Sequence, residues 1–197
     1  MRTLVLALIA VSAVAQSAVE IDNPYAHVTR IKLAPHEKLP VRAYPATVRI
    51  CLSDAPPLCA NGATAWLPAA TSRAEENPSA QPLEEVLIEL KAPHPPSPPI
   101  TLDPVKLDPK YHTVDFENDR VRVLRTVLAP HIKSPMHQHL PYVVVYITEL
   151  HTTMALADGK LVDNVRKRGE IAWRDAMQHS TENIGNQTAM EIQVELK

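Results

Sequence analysis

His137 and His139, in Met136-His137-Gln138-His139, and His179 further along are the residues whose types and spacing could hold a metal ion. Side chains alternate between the faces of a strand, so His137 and His139 point the same way if this stretch is extended. Two imidazoles on one face can share one ion, and a histidine from a neighbouring strand supplies a third ligand. Neutral imidazole does not select one ion, so iron, zinc, nickel, manganese and copper are all candidates. Asn183 follows His179 by four residues, and Tyr142 and Tyr146 fall on one face of the strand expected after the histidine pair. With His131 these are the candidates for groups around the ligands. The remaining histidines (His27, His36, His94, His112 and His151) are expected on the surface or in loops.

The elements that must position these groups read as β. Residues 121–128, 142–147, 154–157 and 160–165 are short apolar or alternating runs, and Asp158-Gly159 between the last two is a strong hairpin signal. Residues 190–196 alternate at period two, with one face for the core and one for solvent. No stretch after the N-terminal segment shows helical periodicity. The 19 prolines argue the same way, because proline disfavours helix interiors and central strands. The expected class is all-β, as a sandwich or small barrel.

The chain also repeats itself. Leu33-Ala34-Pro35-His36 recurs as Leu128-Ala129-Pro130-His131 at an offset of 95, with Asn23, Val28 and Arg30 meeting Asn118, Val123 and Arg125. At an offset of 106, Glu76-Asn77 recurs as Glu182-Asn183 and Glu89-Leu90-Lys91 as Glu195-Leu196-Lys197. Between these blocks Asn61-Gly62 is set against Asp158-Gly159 as the equivalent turn. The reading is two domains, residues 19–91 and 111–197, joined by a Pro-rich linker over residues 92–110 whose Pro-Pro runs favour an extended spacer. The first copy has Arg42, Tyr44 and Arg73 where the second has His137, His139 and His179. Arginine does not ligate a metal as imidazole does, so the first domain is expected to be metal-free. Arg42, Tyr44 and Arg73 are instead candidates for an anion site, since arginine forks suit carboxylate and phosphate.

The His-x-His pair, together with His179 and Asn183 in an H-x3-N arrangement, resembles the two motifs of the cupin superfamily. Gly169-Glu170-Ile171-Ala172-Trp173-Arg174 resembles the strand entering the second motif. Most of residues 111–197 is similar to small cupins of the β-alanine-degradation type, and the repeat extends the likeness more weakly to residues 19–91. The resemblance implies two tandem jelly-roll barrels with a site inside the second. The family's glutamate ligand would fall at Val143 or Val144 and is absent. The first motif's glycine is also missing, with His131 near its place, and Met177 or Ala176 stands where the second motif has glycine. A three-histidine site is therefore expected, with positions open to water or a ligand.

Residues 1–18 read as a signal peptide: Arg2, an apolar run over residues 4–14, and a cleavage pattern at Ala13-Val14-Ala15 or Gln16-Ser17-Ala18. A periplasmic or secreted protein follows, without stable membrane insertion after cleavage. In that compartment Cys51 and Cys59 are expected to close a local disulfide, the alternative being two buried free thiols. A net charge of −2 and the lack of a basic cluster, Arg166-Lys167-Arg168 being one short run beside a turn, exclude a nucleic-acid partner. The expected partner is a small-molecule ligand or substrate, and a homodimer is compatible with the chain. Two function classes follow: a metal-dependent enzyme acting on a small organic acid (dioxygenase, isomerase or decarboxylase type), or a non-catalytic ligand-binding or structural protein without metal.

Overall fold

The computed structural model describes residues 15–95 and 99–197. The first fourteen residues of the expected signal peptide, and residues 96–98 of the expected linker, lie outside the described residues. The first half contains Gln16–Asp22 (β1), Ala26–Leu33 (β2), Arg42–Tyr44 (β3), Thr47–Cys51 (β4), Thr64–Leu67 (β5), Ala70–Arg73 (β6) and Leu83–Leu90 (β7). After one short helix, Pro104–Leu107 (α1), come His112–Glu117 (β8), Val121–Leu128 (β9), His137–His139 (β10), Tyr142–Tyr146 (β11), Leu150–Leu156 (β12), Leu161–Arg166 (β13), Ile171–Arg174 (β14), Met177–Asn183 (β15) and Ala189–Leu196 (β16). None of the described helices is long and apolar enough to cross a membrane.

The molecule is nearly all β, as its proline content and strand-length apolar runs require. Each half has one five-stranded sheet. Their orders are β1-β2-β7-β4-β5 and β8-β9-β16-β11-β14, which correspond strand for strand. Each half closes with a second, smaller sheet: β3-β6 in the first, and β10-β15-β12-β13 in the second. All pairings are antiparallel.

The central strands of the five-stranded sheets are buried on both faces, which explains the unbroken apolar run Tyr142-Val143-Val144-Val145-Tyr146. In β11, Val143 and Val145 face away from their own barrel, while Tyr142, Val144 and Tyr146 face its interior. The outward faces of the two sheets meet. Val28, Val48, Ile50, Val86 and Ile88 of the first half form one core with Val121, Val123, Val143, Val145, Ile192 and Val194 of the second. The two barrel interiors are separate, smaller clusters. The halves are therefore not beads on a linker; they share their largest core. Arg30 donates to the Gly169 carbonyl, and its counterpart Arg125 donates to the Gly62 carbonyl at 2.7 Å. Both glycines have φ of +80°, where a side chain would be strained.

That reciprocal contact corrects one sequence alignment. Gly62 is the counterpart of Gly169, not of Gly159. Asp158-Gly159 turns between β12 and β13, a hairpin that the first half lacks. In its place residues 52–63 form a short loop in which Cys51 and Cys59 are disulfide-bonded, with Ala55 bridged to Cys59. The expected linker boundary also shifts. Residues 101–112 belong to the second barrel: Asp103 caps α1, and the Leu102 carbonyl accepts from Gln138 N on β10. At the other end β1 begins at Gln16, so cleavage after Ala15 leaves that strand whole, whereas cleavage after Ala18 removes part of it.

Candidate metal centre

β10 and β15 bring the three histidines together. They pair antiparallel with His137 opposite His179, and His139 lies two residues along the same face. All three are buried. Their ring centroids lie 4.9 Å (His137–His139), 4.6 Å (His137–His179) and 5.3 Å (His139–His179) apart. One nitrogen from each lies within 4.8 Å of the others.

Hydrogen bonds fix which nitrogens converge. His137 Nδ1 donates to the Pro135 carbonyl at 2.8 Å, and His139 Nδ1 donates to Glu195 Oε1 at 2.7 Å. His179 Nδ1 lies 3.2 Å from Thr181 Oγ1. With Nδ1 of His137 and His139 donating, Nε2 is the lone-pair nitrogen of both rings. Nε2 of His139 and of His179 is buried with no partner among the described residues. Orphaned buried polar atoms cost free energy, and a cation shared by imidazole nitrogens removes that cost. Burial holds the imidazoles neutral, reinforced at His139 and His179 by the neighbouring rings: His179 is depressed to about 2, and His137 and His139 are lowered. Neutral imidazole is the ligating form. The residues present thus fit a divalent ion bound by three nitrogens.

Glu195 was not legible as part of this centre. It lies on β16, beside β11 in the five-stranded sheet. Burial raises its carboxyl to about 8, with Arg122 nearby opposing the rise. A carboxylate accepting from the distal nitrogen of a ligating histidine orients the ring and increases its basicity. His112, expected at the surface, is buried instead, with its ring 4.9 Å from that of His137. The β8–β9 pairing and α1 place it there, and burial depresses it to about 3.

The other candidates divide. Tyr142 and Tyr146 line the interior, Tyr142 with its ring 5.1 Å from His139 and its hydroxyl on Met177 Sδ. Asn183 is buried but is a loop clamp: its amide donates to the carbonyls of Leu128 and Gln187, as Asn77 does to Leu33 and Gln81. His131 is exposed in a turn at φ 62°, away from the cluster. Of the two positions where a glutamate ligand was sought, Val143 faces the shared core and Val144 faces the interior. In the first barrel Arg42 pairs in register with Arg73, as His137 does with His179, and both guanidiniums lie over the Tyr44 ring, at 3.6 and 4.1 Å. Glu89 and Glu75 already pair with them. The chain's own carboxylates therefore stand where an external anion was expected.

The sequence matches no protein-family model and no curated protein. Solved structures do match. AerE from Microcystis aeruginosa is 13% identical, over 93% of this chain and 97% of its own, with a TM-score of 0.63. A cupin 2 conserved barrel domain protein from Leptotrichia buccalis is 12% identical, over 94% and 90%, with a TM-score of 0.51. Oxalate decarboxylase from Bacillus subtilis is 10% identical, over 92% and 72%, with a TM-score of 0.60. Paired jelly-roll barrels, a histidine cluster inside the second, and these likenesses over nearly the whole chain identify it as a protein of the cupin fold.

Proposed function

We propose that the second barrel binds one divalent metal ion through His137, His139 and His179, and that this centre acts on or binds a small organic acid. One observation carries the reading: three buried imidazoles each place a ring nitrogen within 4.8 Å of the other two, with Nε2 of His139 and His179 unpartnered among the described residues. When bound, the ion would supply Lewis acidity and an open position for an oxygen ligand. The protein's own residues would hold the imidazoles neutral, orient His139 through Glu195, and enclose the site with Tyr142 and Tyr146. The similar oxalate decarboxylase has Mn(II) centres and acts on a small dicarboxylate. It supports the substrate class without selecting the metal.

A second reading, a non-catalytic binder, is favoured by a specific observation. Val144 fills the inward position where a carboxylate ligand was sought, Glu195 is engaged by His139, and Glu191 is engaged by Gln193. No free carboxylate base is evident beside the histidines among the described residues. The leader-like residues 1–18 and the Cys51–Cys59 bond support export to the periplasm or medium. The corresponding strand orders support reading the halves as copies.

Elemental mass spectrometry of the purified protein beside a His137→Ala/His179→Ala variant tests the metal reading. Near one equivalent of metal is expected in the parent and none in the variant. A parent that stays metal-free after incubation with iron, zinc, nickel, manganese and copper would overturn it.

A further inference from the structure

Among the cations of the second half that make no ion pair with the described residues, Arg174 is set apart by its place on the barrel's inward face. Arg122 pairs with Asp103 at 2.8 Å, Arg125 with Asp115 at 2.6 Å, and Arg166 with Glu170 at 3.8 Å. Arg174, the last residue of β14, has no carboxylate among the described residues within 4.0 Å. It is half-buried. Its side chain is on the inward face of the barrel, because it pairs in register with Tyr142 and because Ala172, two residues earlier, packs into the interior cluster. Trp173 between them packs against the shared core instead.

The groups around Arg174 favour an anion. Its guanidinium lies beside the Tyr146 hydroxyl. The neighbouring acid, Glu191, accepts from Gln193 Nε2 at 2.9 Å, and burial raises its carboxyl to about 7 although the charges of Arg174 and Arg166 oppose the rise. Glu191 is thus held elsewhere and partly neutral near pH 7. Tyr142 connects Arg174 to the histidine cluster: it is the register partner of Arg174, and its ring lies 5.1 Å from that of His139, tilted by 45°. A guanidinium partly withdrawn from water favours an anionic partner, and its planar fork matches a carboxylate through two parallel hydrogen bonds.

We propose that Arg174 is the anion anchor of the second barrel, holding the carboxylate of a small organic acid beside Tyr146 while the rest of the ligand lies along Tyr142 toward the three histidines. The proposal rests on the metal-and-organic-acid reading above and adds the residue that recognises the acid. Arg174 is a binding residue here, and its role is readable without turnover.

The test is calorimetric titration of oxalate, malonate and benzoate, with malonamide as the uncharged control, into the full chain, Arg174→Ala and Arg174→Lys. Each protein is examined as purified and after loading with the ion that elemental analysis identifies, with metal content measured in parallel. At least one carboxylate should bind the parent and malonamide should not. Affinity should fall at least tenfold in Arg174→Ala and recover in part in Arg174→Lys, which restores charge but not the fork. Metal content should be equal in all three, which also reports that the barrel remains folded. Equal carboxylate affinity in Arg174→Ala, or no carboxylate binding by the parent, would overturn the anchor even if metal is present. Arg174-dependent binding in a protein that holds no metal would sustain the anchor and remove the metal reading.

Discussion

Replacing the Glu195 carboxyl by an amide leaves His139 with a weaker acceptor for its Nδ1 proton, at a site that is fully buried on both sides of the bond. Such outer partners typically contribute about 10–100-fold in metal affinity. Glu195→Gln keeps the shape and one acceptor oxygen, so an affinity loss of about tenfold is expected in competition with a chelator, with full occupancy recovered at excess metal. Unchanged affinity would mean that Glu195 only fills space. A second buried acid has its effect on stability. Glu85 in the first barrel lies 3.9 Å from Arg49, one of its oxygens has no hydrogen-bond partner, and burial raises its carboxyl to about 7. A raised carboxyl favours the folded state only while protonated. Its contribution is present below about pH 4.5 and is lost as pH rises through 7. Glu85→Gln should therefore be more stable than the parent at pH 8, by up to about 3 kcal/mol, with the difference vanishing near pH 4.5. Urea midpoints across that range would show it, and parallel profiles would contradict the assignment.

At the scale of elements, β3–β6 and β10–β15 are the same device with different chemistry. Arg42 faces Arg73 as His137 faces His179, and Glu89 occupies on β7 the place of Glu195 on β16. In one barrel guanidiniums neutralise the buried carboxylates; in the other a carboxylate orients an imidazole. Arg42→His/Tyr44→His/Arg73→His should therefore create a second metal equivalent, measurable by elemental analysis against the parent. The register irregularity between Arg42 and Tyr44 is the feature that could prevent it, and a variant with no added metal would show that the two strand pairs are not interchangeable. The sequence made the histidine cluster legible because the alternation in His137-Gln138-His139 is local. It could not reveal Glu195, which reaches His139 only through the register of β11 with β16, across 56 residues of chain. His112 was misread for the same reason: nothing near it announces burial. Asn183 fitted a motif spacing, yet its amide closes a loop, a role that its counterpart Asn77 repeats in a barrel with no histidine cluster. The fold was legible from strand-length runs and the repeat. The two-sided burial of the large sheets was not, because an unbroken run such as Val143-Val144-Val145 does not say what covers each face.

At the scale of the molecule, the shared core makes each half depend on the other. The face that β9, β11 and β16 turn away from their own barrel carries Val121, Val123, Val143, Val145, Ile192, Val194 and Leu196, all buried only because the first half lies on them. An exposed apolar face of that kind seeks a partner, and the contacts across the interface say which partner would fit. Arg30 reaches the Gly169 carbonyl while Arg125, its counterpart, reaches that of Gly62, so the interface is close to self-complementary. A fragment of residues 99–197 alone could reproduce it with a second copy of itself, Arg125 of each copy donating to the Gly169 carbonyl of the other. Self-complementary patches of this sort close as two-fold dimers. Sedimentation equilibrium of that fragment should therefore show a dimer, and Val194→Asp, which places a charge at the centre of the patch, should abolish it. Because that substitution lies on the face opposite the histidines, a fragment that remains folded as a monomer should still take up metal, whereas one that needs the interface for folding should lose dimer and metal together. A soluble, stable monomer from the unsubstituted fragment would show instead that each barrel stands on its own interior and that the shared core only joins them.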